Sequence, residues 1–365
     1  MKDLAPWQRA PLLILGFVGL VLGILAGLAR LAWPVPGIAL GPPHGVLMLC
    51  AFFGTLISLE RAVALGRLWA YLAPLAGGVG GLLVVGGHQG LGGIAFVVTG
   101  IVLVLASLAA QRLQPALHAR VLTLGAACWL VGVAVWLGTG AIALAQWWWI
   151  AFLVITIAGE RLELSRLVQV SPAMTRLFLA IMATLVAACL LTLVAGNLGL
   201  RLYGASLAAL AIWLLRQDVA RRTVRGKGLT RYIAAALLGG YLWLAVAGAV
   251  LAVLAPSPGE PGWDTGLHGI VLGFVFAMVF GHAPIILPAV LRVKLPYQPG
   301  LYVPLALLHL SLMLRVAGDF GGQFPWRAWG GMGSALAIAL FLVMQVTAIA
   351  VANRPQRQAA NSRGT

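Results

Sequence analysis

Ionisable side chains stand at regular places inside segments of this sequence that are otherwise almost entirely apolar. His44 opens the segment HGVLMLCAFFGTLISLER, and Glu60 and Arg61 end it. His268 opens a second segment of the same kind, HGIVLGFVFAMVFGHAP. Imidazoles bind metal ions, and both imidazoles and carboxylates transfer protons. Because such groups are costly in lipid, each one is a candidate functional residue.

The segments that carry these residues are typical of membrane-spanning helices. The chain is 62% hydrophobic and 9% charged, with a mean hydropathy of +1.01, which is far from the usage of water-soluble proteins. A helix of about 20 apolar residues crosses a bilayer core of about 30 Å. About twelve runs have this character: 11–33, 44–66, 69–87, 91–111, 118–139, 146–168, 175–196, 199–217, 229–254, 267–291, 300–318 and 328–352. The sequence predicts an all-α, polytopic integral membrane protein with one transmembrane domain over residues 1–365.

The positions of Lys and Arg predict the orientation. With an inner N-terminus, 20 of the 24 basic residues face the cytoplasm, and only Arg30, Arg201, Arg315 and Arg327 lie on the outer side. Cytoplasmic loops of membrane proteins carry such an excess. We therefore expect both termini to be cytoplasmic, in a bacterial inner membrane, with the basic loops against anionic lipid. The net charge of +16 reflects this topology and does not indicate nucleic-acid binding.

Several classes of site are absent from the sequence. Its three cysteines, Cys50, Cys128 and Cys189, all lie within apolar runs and show no CxxC spacing. They are typical of small packing residues, not of a disulfide framework or a zinc site. The chain also lacks a Gly-rich phosphate loop, an HExxH motif and a Ser-His-Asp order. Conventional soluble catalysis is unsupported, and whether the protein is an enzyme stays open.

An internal similarity relates three of the runs. AFFGTLISLER at 51–61 and AFLVITIAGER at 151–161 share Phe52/Phe152, Ile57/Ile157, Glu60/Glu160 and Arg61/Arg161. In the tenth run, Phe274 and Val279 keep the same spacing ahead of His282. This pattern predicts three pseudo-repeated arcs of four helices, at about 1–111, 112–217 and 218–352, with a tail at 353–365. Chance similarity among apolar helices is the alternative.

The repeat places four charged residues at one level of the membrane. Glu60 is sixteen residues after His44, or about 24 Å along a helix, so it belongs to the opposite end. Glu60, Arg61, Glu160 and Arg161 are therefore candidates for a charge-paired clasp or a proton relay at the inner ends of their helices. The alternative is that these side chains simply extend toward water.

Two deeper histidines suggest a further site. His282 and His309 lie about ten residues from the inner ends of adjacent runs, which corresponds to about 15 Å of helix for each. Two imidazoles at one depth could bind copper. Pro284 and Pro288 follow His282 and free backbone carbonyls, so a hydrated polar pocket is the alternative.

Twelve helices, two inner termini and histidines opening the second and tenth runs form a known combination. The chain resembles the catalytic subunit of the haem–copper oxidases and, more closely, the NnrS-like family of haem- and copper-containing bacterial membrane proteins. The resemblance rests on PPHGVLMLCAFFG, LHGIVLGFVFAMVFGHAP and LLHLSLMLRV. It implies that His44 and His268 are axial ligands of a b-type haem and that Arg315 and Arg327 bind its propionates. It also implies chemistry related to nitric oxide, denitrification or nitrosative stress, with a small gaseous or redox ligand.

The sequence departs from the oxidase pattern in its sixth, seventh and tenth runs. The sixth and seventh runs contain no histidine, and His268 has only Gly269 and Ile270 beside it. An oxygen-reducing centre of the oxidase type is therefore not expected. The candidate haem residues also have alternative roles. Histidines at helix ends can contact lipid headgroups, and Arg315 could pair with Asp319. A second function class stays open, namely a small-solute transporter without haem that uses Glu60, Glu160 and His282 as a relay.

Overall fold

The structure, a computed structural model, describes residues 3–35, 44–164 and 170–353. Over these ranges the chain is helical, with no β-strand. Twelve of the described helices are long and apolar enough to cross a membrane. The predictions of an all-α fold and of twelve spans are confirmed. Of the expected tail, only Asn353 lies within the described residues.

The twelve helices follow one another along the chain. They are α1 Pro6–Arg30, α2 His44–Leu65, α3 Leu68–Val85, α4 Gln89–Leu113, α5 Leu117–Thr139, α6 Ile142–Leu164, α7 Pro172–Val194, α8 Gly196–Gln217, α9 Gly228–Leu254, α10 Pro261–Leu291, α11 Pro299–Phe320 and α12 Phe324–Ala352. We call the end of the bundle where α2 and α10 begin the histidine side, and the end where they finish the glutamate side.

The two helices that begin with the candidate histidines share an unusual backbone. In α2 a π-helical segment, Leu47–Phe52, follows the first turn, which holds His44. In α10 the π-helical segment Gly269–Phe276 begins directly after His268. Long π-helical segments are rare and are frequently found at functional sites. The backbone therefore singles out the same two regions as the histidines.

Helices α2, α6 and α10 form the centre of the bundle. They are the most buried of the spans, with 72%, 78% and 61% of their apolar windows inside the protein. Helix α6 contacts the π-helical segments of both α2 and α10. Aromatic side chains fill the space between α2 and α10, where Phe53 and Phe276 have ring centroids 5.3 Å apart. These are also the three runs that the sequence similarity relates to one another.

Helix α10 begins six residues before the run that hydropathy marks. Pro261 occupies its first turn, where the missing N–H of proline costs nothing, and Glu260 precedes it in an extended conformation. The first turns, PGWDTG, are too polar for the apolar run to include them. As a result Asp264 lies within the helix, one turn before His268.

A buried arginine ties the N-terminal segment to the glutamate side of the bundle. Arg9 is almost fully buried, and its guanidinium donates to the carbonyls of Val290 at 3.0 Å and Leu4 at 3.1 Å and pairs with Asp3. The Tyr71 hydroxyl donates to the same Asp3 carboxylate at 2.7 Å. Because α10 ends at Leu291, the Val290 carbonyl has no partner within its helix, and Arg9 supplies one.

Candidate functional site

His44 and His268 lie side by side on the histidine side. Their ring centroids are 6.4 Å apart, and the ring planes differ by only 16°. An iron or other metal ion held between two imidazoles, with each nitrogen at about 2.0 Å, requires ring centroids about 6 Å apart. The spacing of this pair therefore suits one metal ion bound by both rings.

In each ring, the nitrogen Nδ1 is anchored to a backbone carbonyl. His44 Nδ1 lies 2.6 Å from the carbonyl oxygen of Gly23, and His268 Nδ1 lies 3.0 Å from that of Asp264. A carbonyl oxygen can only accept a hydrogen bond, so each Nδ1 carries the proton and donates it. In the neutral ring, Nε2 then has a free lone pair. This arrangement, with one nitrogen anchored to the protein and the other open, is typical of histidines that bind metals.

A cavity of about 460 Å³ adjoins the pair. Both histidines line it, together with residues from α1, α6, α10, α11 and α12. Its apolar wall includes Met48, Leu49 and Ile150. This volume lies within the range of small-molecule and cofactor sites, and a mostly apolar wall with a few convergent polar groups is typical of them.

Four charged side chains form a network on one wall. Arg315 donates to both carboxylate oxygens of Asp264, from Nε at 2.7 Å and from Nη2 at 2.8 Å. Arg327 Nη2 donates to Asp264 Oδ1 at 3.2 Å, and Arg327 Nε lies 3.0 Å from Asp319 Oδ1. Arg315 thus pairs with Asp264 on another helix, not with Asp319 four residues along its own.

Because of this network, the arginine expected to bind a carboxylate of the ligand is a different one from those that the sequence indicated. Arg315 and Arg327 line the cavity as the resemblance implies, but Arg315 already donates two hydrogen bonds to Asp264 and Arg327 donates one. Arg30, at the end of α1, also lines the cavity and is exposed, and no ion pair or side-chain hydrogen bond holds it among the described residues. Arg30 is therefore the cavity arginine that is free to bind a carboxylate of a ligand.

The histidines fit a haem as the resemblance implies, whereas the arginines fit it differently. The ring spacing, the anchored Nδ1 atoms and the cavity all suit axial ligation by His44 and His268. For the propionates, Arg30 has no protein partner among the described residues, whereas Arg315 and Arg327 already engage Asp264 and Asp319. Sequence reasoning did not single out Asp264 or Arg30. The spacing of Asp264 four residues before His268 was the available signal.

The four charged residues of the glutamate side lie near one another without direct pairing. Glu160 is close enough to Glu60, Arg61 and Arg161 to experience their charges. Among the described residues, however, the only ion pairs are others, and none joins these four within 4.0 Å. Arg161 is buried, while Glu60, Arg61 and Glu160 are half-buried. The geometry is that of a shared polar region, not of a contact clasp.

His282 and His309 have different surroundings. His282 Nδ1 donates to the Met278 carbonyl at 2.8 Å and lies near the charge of Arg161. His309 instead faces Gly239 of α9, and neither of its ring nitrogens has a hydrogen-bond partner among the described residues. In the described part of the chain, no ring contact links the two histidines, and no three metal-binding side chains cluster anywhere.

Comparison with known proteins places the chain in a family. No curated protein and no solved structure matches it. One family matches residues 9–350, which is nearly the whole chain and includes all of the site residues described above. This chain belongs to the family described as Domain of unknown function (DUF8744).

Proposed function

We propose that this protein is a membrane haem protein whose b-type haem is held by His44 and His268. The observation that carries the proposal is the histidine pair itself, with centroids 6.4 Å apart and planes within 16°. Two histidines that only contacted lipid headgroups would not need to be aligned in this way. Both Nδ1 atoms are anchored to carbonyls, which leaves both Nε2 atoms for the iron.

The chain contributes orientation, charge and exclusion of water. Carbonyls of Gly23 and Asp264 fix the ring tautomers, and Phe52 and Phe276 stack between α2 and α10 at the ends of their π-helical segments. Arg30, which lines the cavity, would bind a carboxylate of the haem. Haem supplies reversible one-electron chemistry when bound. With both His44 and His268 as ligands, such a haem would suit electron transfer or sensing better than direct turnover.

The finer features of the architecture belong to the same proposal. Three arcs around α2, α6 and α10 are supported by the central, buried position of these helices. Both termini then lie in the cytoplasm of a bacterial cell, and the histidine side faces outward, as the distribution of basic residues favours. With the NnrS-like resemblance, this supports a role in nitric oxide or nitrosative-stress chemistry. Copper at His282 and His309 is not included, because the two rings have separate surroundings.

The test is spectral. The full chain is expressed with haem available, purified in detergent, and examined for a Soret band and a six-coordinate low-spin spectrum. His44→Ala and His268→Ala should each abolish that spectrum, because each removes one axial ligand. His88→Ala is the matched control, since His88 is exposed at the start of α4 and does not line the cavity.

The outcomes separate the two function classes. A red wild type that loses its low-spin spectrum in both variants, but not in His88→Ala, supports the haem site. A folded, colourless wild type overturns the proposal and leaves the transporter hypothesis. Retention of the wild-type spectrum in both histidine variants would place the haem elsewhere and overturn this assignment.

A further inference from the structure

The two candidate axial histidines are held by different chemistry. His44 Nδ1 has only the neutral carbonyl of Gly23 as its described partner, at 2.6 Å. His268 Nδ1 lies 3.0 Å from the carbonyl of Asp264 and also 3.2 Å from its carboxylate oxygen Oδ1. The hydrogen bond of His268 Nδ1 goes to the carbonyl, and the carboxylate of the same residue lies beside that nitrogen as an ionic neighbour.

The Asp264 carboxylate is itself fixed in place. Its side chain is only 13% exposed, and it is gripped by Arg315 through two hydrogen bonds and by Arg327 through a third. A bidentate arginine sets both the position and the plane of a carboxylate. Oδ1 is therefore held beside His268 by residues of α11 and α12, which do not touch the ring through any described hydrogen bond.

We propose that Asp264 is a positioning residue that makes His268 the stronger donor of the two axial ligands. This inference rests on the proposed haem function and deepens it. A carboxylate that accepts a hydrogen bond from a ligating histidine fixes the ring and raises its basicity. A stronger donor stabilises the more oxidised metal. The network of Asp264, Arg315 and Arg327 then sets the reduction potential of the site, whereas His44 supplies an ordinary imidazole.

The experiment measures the haem midpoint potential and the ferric low-spin EPR spectrum of the purified full-length protein. Asp264→Asn keeps the shape of the side chain but removes its charge, so the potential should rise and the EPR g-values should change. Asp264→Glu, which retains the charge, should return the potential toward the wild-type value. Asp319→Asn is the matched control, because it makes the same substitution in the same network but Asp319 has no described contact with His268.

If Asp264 had only a structural or a long-range electrostatic role, the potential and the g-values would respond differently. If Asp319→Asn alters the g-values as strongly as Asp264→Asn, the effect is one of charge alone and the inference is overturned. An unchanged potential and unchanged g-values in Asp264→Asn, with haem still bound, also overturn it. A wild type that binds no haem refutes the proposed function itself. If Asp264→Asn does not fold, Arg327→Gln replaces it, and a weaker grip on Asp264 should change the g-values in the same direction.

Discussion

Phe52 of α2 and Phe276 of α10 stack with ring centroids 6.0 Å apart and planes within 13°. Each phenylalanine comes eight residues after the histidine that opens its helix, and each ends a π-helical segment. His44 thus corresponds to His268 and Phe52 to Phe276. This spatial register differs by two residues from the sequence similarity, which matched Glu60 with His282. The structural pairing brings together the residues that form the site.

The first prediction concerns the glycine beneath His44. A Cβ atom at Gly27 would lie 2.8 Å from His44 Cε1 and 2.9 Å from Nδ1, so Gly27→Ala must displace the ring. We expect a reduced ratio of haem to protein and a partial loss of the low-spin spectrum. Gly90→Ala is the control, because Gly90 also lies in a helix but has open space around it. Equal haem content in both variants would contradict the described position of His44.

The second prediction assigns the free arginine. Loss of one charge-assisted hydrogen bond costs about 1.5–3 kcal/mol. Because Arg30 is exposed, we take the lower end and expect Arg30→Ala to release haem about tenfold faster. Transfer of haem to apomyoglobin measures the rate. Arg201→Ala is the matched control, since Arg201 donates to the carbonyls of Ala252 and Val253 and does not line the cavity. Equal release rates in the two variants would argue against a carboxylate at Arg30.

The third prediction tests the N-terminal anchor. Arg9→Ala leaves the buried Val290 carbonyl without a donor, and an unsatisfied buried group costs about 1–3 kcal/mol. We expect a lower thermal midpoint in detergent with no change in the haem spectrum, because Arg9 lies on the glutamate side. Arg112→Ala is the control, since Arg112 is exposed at the end of α4. A midpoint unchanged from wild type would show that the anchor contributes nothing.

The fourth prediction concerns the glutamate side. Breaking a buried contact ion pair costs about 3–5 kcal/mol. Because none of Glu60, Arg61, Glu160 and Arg161 pairs directly with another, we expect Glu160→Ala to lower the free energy of unfolding by less than that. Reversible denaturation in mixed micelles measures the change. A loss as large as that of a buried pair would restore the contact clasp that the sequence repeat suggested.

The sequence by itself determined the class of fold and identified the two histidines of the candidate site. Twelve apolar runs required twelve helices, because a backbone in lipid must satisfy its hydrogen bonds within each segment. His44 and His268 were identifiable for a related reason, since polar residues at the mouths of apolar runs are few. Periodicity and hydropathy are local properties, and they can be read without knowing which helices are neighbours.

The tertiary structure decided which groups meet. Asp264 was hidden because the first turns of α10 are polar and fall outside the apolar run, although Pro261 allows the helix to begin there. The pairing of Arg315 with Asp264 joins residues 51 positions apart, and Arg30 reaches the cavity from the far end of α1. Likewise, their positions along the chain suggested one depth for His282 and His309, but the two rings have separate surroundings. Depth follows from position along a helix, whereas facing depends on the rotation and packing of each helix against the others, which side-chain complementarity across the whole bundle sets.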